Sequence, residues 1–139
     1  MNSLVKLISL KEVTDEGILR IGQSGVHIPF HIKRFYLISD IEGNAIRGKH
    51  AHFKHIQALF LLKGEVTMLL SDGKISETVK MKKEGQGILL EPMIWHEMSE
   101  FTSDTILMVV ASEEFAEADY IRDYKYFLEL TKGTHDSNE

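Results

Sequence analysis

Three imidazoles fall within six residues of one another in R-G-K-H-A-H-F-K-H-I-Q (47–57), at His50, His52 and His55. Imidazole titrates near neutral pH and also ligates metals, so the stretch offers either proton transfer or a metal site. His50 and His52 are two apart, and on a strand both side chains leave one face, about 6.6 Å apart along the backbone. Mere filling of an apolar sheet by this pair would bury polar nitrogens for no gain, which favours chemistry. His55 is offset by an odd number and by strand parity points to the other face as a structural residue. His27 and His31, around Pro29, and His135, beyond the last apolar residue, also read as structural.

The elements that must hold these groups are short. I-K-R-F-Y-L-I (32–38), I-Q-A-L-F-L-L (56–62), E-V-T-M-L-L (65–70), I-S-E-T-V-K-M (75–81), G-I-L-L (87–90) and D-T-I-L-M-V-V-A (104–111) recur about every ten residues. That spacing predicts an all-β sandwich or barrel. S-D-G-K (71–74) carries the Asp-Gly hairpin signal, and L-K-G-E and K-E-G-Q-G supply further turns. The period then changes. In A-E-A-D-Y-I-R-D-Y-K-Y-F-L-E-L (116–130), Tyr120, Ile121, Tyr124, Phe127 and Leu128 fall on one face of a single amphipathic helix. Gly133 then reads as a stop, leaving one domain over 1–131 and a disordered tail over 132–139.

Sixteen Lys and Arg against 21 Asp and Glu give a net charge of −5, which argues against nucleic acid or an anionic membrane as partner. An anionic ligand would need a local basic cluster. The absence of cysteine excludes a thiol nucleophile and a disulfide framework and suits a reducing compartment. No stretch is long and apolar enough for a membrane span, and the first residues lack a signal-peptide core, so a cytoplasmic protein is expected.

From His50 to Gly64 the chain reads H-x-H-x4-Q-x6-G, which resembles the first motif of the cupin superfamily with Gln57 in place of the usual Glu. G-Q-G-I-L-L-E-P-M-I-W-H-E-M (85–98) resembles the second, with His96 in the place of the last ligand. A cupin is a jelly-roll β-sandwich or barrel, to which this chain adds the C-terminal helix. Gln57 lacks the charge that a carboxylate brings to a metal site, and the second motif is one residue short between Pro92 and His96.

I-P-F-H-I-K-R-F-Y-L-I (28–38), R-G-K-H-A-H (47–52), E-P-M-I-W-H-E-M (91–98) and L-M-V-V-A-S-E-E-F-A-E-A-D-Y-I-R-D-Y (107–124), in that order, resemble a narrower family. They look like the sugar-nucleotide 3,4-ketoisomerases, over about residues 5–128. The resemblance implies a homodimer that isomerises dTDP-4-keto-6-deoxyglucose without metal or other cofactor, toward deoxyamino sugars such as those of O-antigens and S-layer glycans. It implies that the H-x-H pair is the catalytic centre, with His52 as the base at C3 and His50 as its partner.

Removing the C3 proton beside the C4 ketone gives an enediolate, and returning a proton to C4 gives the 3-keto sugar. The reaction needs a base, a shuttle and a donor to the oxyanion, and no redox cofactor. Tyr36, on one strand face with Arg34, is the candidate donor. The resemblance favours Arg47 and Arg122 for the pyrophosphate, with Arg34 and Lys33 behind them, because a guanidinium matches phosphate oxygens. An ordinary ion pair of Arg122 with Asp119 or Asp123 is the plain alternative. Trp95 is expected to line the pocket, with Gln57 and His96 as neutral wall residues. The rival readings are a metal-dependent cupin enzyme using His50, His52 and His96, a non-catalytic sugar-nucleotide-binding cupin, and a 3,5-epimerase.

Overall fold

The computed structural model describes the backbone of residues 3–136 and the side chains of residues 3–132. Eleven strands precede a short 3-10 turn: β1 Leu7–Ser9, β2 Lys11–Thr14, β3 Ile18–Ile21, β4 Arg34–Ile38, β5 Arg47–His52, β6 Gln57–Lys63, β7 Val66–Ser71, β8 Ser76–Met81, β9 Gln86–Leu90, β10 Trp95–Ser99 and β11 Ile106–Ala111. After the turn, Glu117–Asp119, come β12 Tyr120–Ile121 and helix α1 Tyr124–Asp136. The strands form two five-stranded sheets, in the orders β1-β9-β6-β11-β4 and β12-β5-β10-β7-β8, and a separate β2-β3 hairpin. This is the all-β sandwich with a C-terminal helix that the strand spacing and the cupin motifs predict.

Strand alternation sorts the apolar residues into three layers. Leu59, Leu61, Met68, Leu70, Ile88, Leu107 and Val109 fill the main core. Their neighbours Ala58, Phe60 and Val110 face the other way and pack with Leu10 and Ile28 of the N-terminal segment. A third cluster joins Ala51, Trp95 and Ile121 to Phe127 of α1, so the helix covers part of the second sheet. The Asp72–Gly73 turn forms as expected, with Asp72 Oδ1 accepting the Lys74 and Ile75 amides at 2.8 and 2.9 Å. Gly73 has φ +92°, and a side chain there would collide with Thr131 of α1.

Two boundaries differ from expectation. Tyr120 and Ile121 are not helical; they pair with His52 and Ala51 of β5. The helix starts only after Asp123, whose Oδ1 accepts the Lys125 amide at 2.9 Å as an N-cap. The two halves of one apolar pattern are thus a strand residue pair and a helix face. At the other end α1 continues through Gly133 to Asp136, because a helical glycine costs only about 1 kcal/mol and no proline follows. The part of the expected tail over 132–136 is therefore helical in its backbone, and residues 137–139 lie outside the described residues. Among the described residues no helix is long and apolar enough to cross a membrane.

Candidate active site

β5 and β10 bring the histidines together. His50 and His96 are direct cross-strand partners, at the point where the register shifts between His96 and Glu97. The irregularity is matched on β5 by Gly48 at φ +86° and Lys49 at φ +55°. A side chain at Gly48 would press on the His96 carbonyl at 3.1 Å, so glycine permits the close approach. The ring centroids lie 4.9 Å apart for His50 and His52, and 4.4 Å apart for His50 and His96. All three are buried.

Each member of the H-x-H pair has one nitrogen committed. His50 Nδ1–H donates to the Gly48 carbonyl at 2.9 Å, and His52 Nδ1–H donates to Asp119 Oδ2 at 3.2 Å. Carbonyl and carboxylate only accept, so both rings carry the proton on Nδ1 and present a bare Nε2. Both Nε2 atoms are buried without a hydrogen-bond partner among the described residues. Burial holds the His50 pKa below its ordinary value against the pull of the Gly48 carbonyl. Burial, with His50 and His55 nearby, lowers that of His52 to about 4 despite Asp119. His96 is held well below its ordinary value by its burial and by the two neighbouring imidazoles. The cluster is therefore neutral at pH 7, the state in which an imidazole can accept a proton.

His50 forms part of a cleft of about 310 Å³ lined also by Arg34, Tyr36, Arg47, Tyr120 and Arg122. Arg34 has Nε and one terminal nitrogen buried without a partner, and its guanidinium lies 5.3 and 5.5 Å from the Tyr36 and Phe115 ring centroids. Two buried donors on a half-buried cation favour an anion in the cleft, since leaving them unpaired is costly. Arg122 makes a two-pronged pair with Glu117, both bonds 2.9 Å, and lies 4.2 Å from the centroid of Tyr120. Its partner is thus neither Asp119 nor Asp123. Burial, reinforced by the Tyr120 phenol, raises the Tyr36 pKa against the pull of Gln57, Arg34 and Arg47, so Tyr36 remains a donor.

Of the residues picked from the sequence, His50, Tyr36, Arg34, Arg47 and Arg122 meet at this cleft. His52 lies beneath it, against the Tyr120 ring at 4.3 Å. Gln57 and His96 are buried in the sheets and do not line it. Trp95 is a correction: one residue from His96 on β10, it faces the opposite side and packs on Phe127, with its indole N–H on Glu97. His55 is another. β5 ends at His52, so strand parity no longer applies, and the turn lays the His55 ring on that of His52, 5.0 Å apart and 18° from parallel.

Asp119 and Tyr120 escaped the sequence reading because both sit where a helix was expected. Asp119 organises the end of β5: besides His52 it accepts the Lys54 amide at 2.9 Å and the His55 amide at 3.1 Å. The Asp123 cap four residues on is the local signal that the helix starts later.

The metal alternative meets poor geometry in the cupin position. Gln57 brings no charge, and His52 and His96 stand 6.4 Å apart between ring centroids. Among the described residues the histidine and acid atoms that converge within 4.8 Å are those of His52, His55 and Asp119, a different set. The residues of the cupin motif thus do not fit a metal ion as they stand.

Comparison with known proteins brings several matches. The family model FdtA (WxcM-like, C-terminal) matches residues 3–132. A TDP-4-oxo-6-deoxy-alpha-D-glucose-3,4-oxoisomerase of Aneurinibacillus thermoaerophilus is 41% identical over 123 residues, 88% of either chain. QdtA, a sugar 3,4-ketoisomerase from Thermoanaerobacterium thermosaccharolyticum solved with TDP, superposes with a TM-score of 0.91 at 34% identity, over 96% of this chain and 98% of its own. A histidine-to-asparagine variant of that enzyme has been solved with TDP-4-keto-6-deoxyglucose. WlaRA, a TDP-fucose-3,4-ketoisomerase from Campylobacter jejuni, matches with a TM-score of 0.86 at 33% identity, over 93% and 96%.

Proposed function

The chain belongs to the FdtA (WxcM-like, C-terminal) family, and on that premise we propose that it is a TDP-4-keto-6-deoxyglucose 3,4-ketoisomerase. It is an isomerase that moves a keto group along a nucleotide-linked sugar, giving a 3-keto-6-deoxyhexose suited to later amination. The observation that carries the chemistry is the pair of bare Nε2 atoms on His50 and His52, each fixed from behind through Nδ1.

His52 takes the proton from C3. Its Nε2 lone pair is free, and the Asp119 carboxylate behind it stabilises the imidazolium that forms. The electrons of the C3–H bond become the C3–C4 double bond, and the C4 oxygen gains negative charge, to which the Tyr36 phenol donates. His50 takes the C3 hydroxyl proton on Nε2 and hands it to the C4 oxygen. The His52 imidazolium then returns its proton to C4 as the C3 carbonyl forms, so atoms and charge balance without redox chemistry or a metal ion. Arg34, Arg47 and Arg122 receive the pyrophosphate, which an acidic protein must neutralise locally. Gln57 and His96 support the cleft from inside the sheets.

The enzyme is read as a cytoplasmic homodimer. Phe35 and Leu37 on edge strand β4 are 64% and 58% exposed, and Ile18 and Leu19 of the β2-β3 hairpin 55% and 59%. A symmetric partner would cover these apolar side chains and the open edge.

The test is proton NMR of TDP-4-keto-6-deoxyglucose with EDTA-treated protein in deuterium oxide. Loss of the C3 proton signal and growth of the 3-keto product are expected with chelator present. A sugar left unchanged by folded protein would overturn the assignment, and activity that requires added metal would overturn the proton-transfer mechanism.

A further inference from the structure

Behind the proposed base lies a second cluster that the isomerisation does not use in full. Asp119 Oδ2 stands 3.2 Å from His52 Nδ1 and 3.6 Å from His55 Nδ1, and one ligand atom from each of the three residues lies within 4.8 Å of the others. Ligand atoms about 2.0–2.1 Å from a tetrahedral zinc ion are about 3.3 Å apart, so the two separations from Asp119 Oδ2 need little adjustment to hold one, and closure of the site rests on a small shift of the His55 ring. His55 Nδ1 is buried with no hydrogen-bond partner, and its residue is only 3% exposed. An ion would give His55 Nδ1 the partner it lacks.

The approach is separate from the arginine-lined cleft. A cavity of about 610 Å³ opens on His55 and Asp119 beside Phe53, Lys54, Glu113 and Glu114, and shares only Phe115 with the first. Water from it could fill a fourth position. Lys33 at its rim is paired with Glu113 at 3.5 Å, which offsets one of the nearby positive charges.

We propose that His52, His55 and Asp119 form an inhibitory site for a zinc-type divalent cation, and that binding there disarms the base. Coordination takes the Nδ1 lone pair of His52, so the proton that Nδ1 had donated to Asp119 moves to Nε2 through solvent. The ring stays neutral with its proton count unchanged, but Nε2–H now faces the sugar and cannot accept the C3 proton. His55 binds through Nδ1 with its own proton on Nε2. The loss of activity rests on the assignment of His52 as base; the binding does not.

Calorimetric titration of EDTA-stripped, dialysed protein with zinc chloride should show one equivalent bound per chain. In the NMR assay the isomerisation rate should fall at least tenfold as that site fills, and excess EDTA should restore it. His55→Gln should lose the binding, and whatever activity it retains should no longer respond to zinc, whereas His96→Gln should still bind. Nitrogen NMR of histidine-labelled wild-type protein gives a readout that no variant has to survive: zinc should convert the His52 Nε2 signal from unprotonated to protonated. No binding to wild type, binding lost in His96→Gln instead, or occupancy without the tautomer change would each overturn the proposal. Zinc binding by a protein that does not isomerise the sugar would leave the site standing and remove the catalytic reading alone.

Discussion

Ala51 is fully buried against Trp95, Ile121 and Phe127, in a layer where strand and helix meet through apolar contacts. One residue either side on the same strand, His50 and His52 turn the opposite way and bury nitrogens that lack partners. The outer face of β5 therefore stabilises the fold, while the inner face costs stability, since each uncharged but unsatisfied nitrogen forgoes its hydrogen bond to water. The contrast shows how this protein keeps reactive imidazoles in place. They stand on a strand fixed from behind by an apolar helix layer, so positioning them does not depend on contacts to the reacting atoms themselves.

The comparison is broken hardest by removing the base. His52→Asn is expected to lower kcat by roughly a thousandfold, within the range for loss of a positioned general base, with little change in melting temperature. Steady-state rates followed by NMR and a thermal melt together check this, and a variant still within tenfold of wild type would show that the base lies elsewhere. The converse change is Phe127→Ala on the outer face. It should cost about 3–5 kcal/mol of stability by denaturant titration, as for a fully buried aromatic. Folded Phe127→Ala should keep kcat within about twofold, since Ala51, Trp95 and Ile121, with which it forms a cluster, do not line the cleft. A large loss of kcat at full folding would mean that the two faces are not separable.

The smallest effect sharpens the contrast by pH. His50, His52 and His96 have folded pKa values lowered from 6.5 by burial, so as pH falls below 6.5 the unfolded chain binds protons that the folded chain refuses. Stability should be complete above that pH and decline below it, by up to about 1.4 kcal/mol per pH unit for each histidine until its folded form titrates. Urea melts of EDTA-treated protein between pH 5 and 8 should show this slope. It should be shallower in His52→Asn and unchanged in Phe127→Leu. A flat profile would contradict the neutral, desolvated cluster.

Much of this site is legible in short-range pattern. The alternation along β5 places His50 and His52 on one face, and the alternation along β4 aligns Arg34 with Tyr36; both pairs meet at or beneath the same cleft. The alternation failed where elements end. His55 lies past the last residue of β5, so counting residues misplaced its ring. Trp95 is next to His96 in the chain, but a strand sends neighbours to opposite faces, so its indole leaves the pocket for Phe127.

Turn signals and the repeating apolar runs were enough to determine an all-β sandwich or barrel, a terminal helix and the shared face of the histidine pair, because these follow from the periods of two and 3.6 that the backbone imposes locally. The tertiary structure alone decided that Asp119, 67 residues beyond His52, is the acceptor that fixes its tautomer. It also decided that Tyr120 pairs with β5 instead of joining the helix, and that His55 shares the carboxylate. Apolar periodicity records how often a side chain turns toward the core; it does not record which distant strand edge still has backbone groups to satisfy. The free edge of β5 claimed Tyr120 and Ile121.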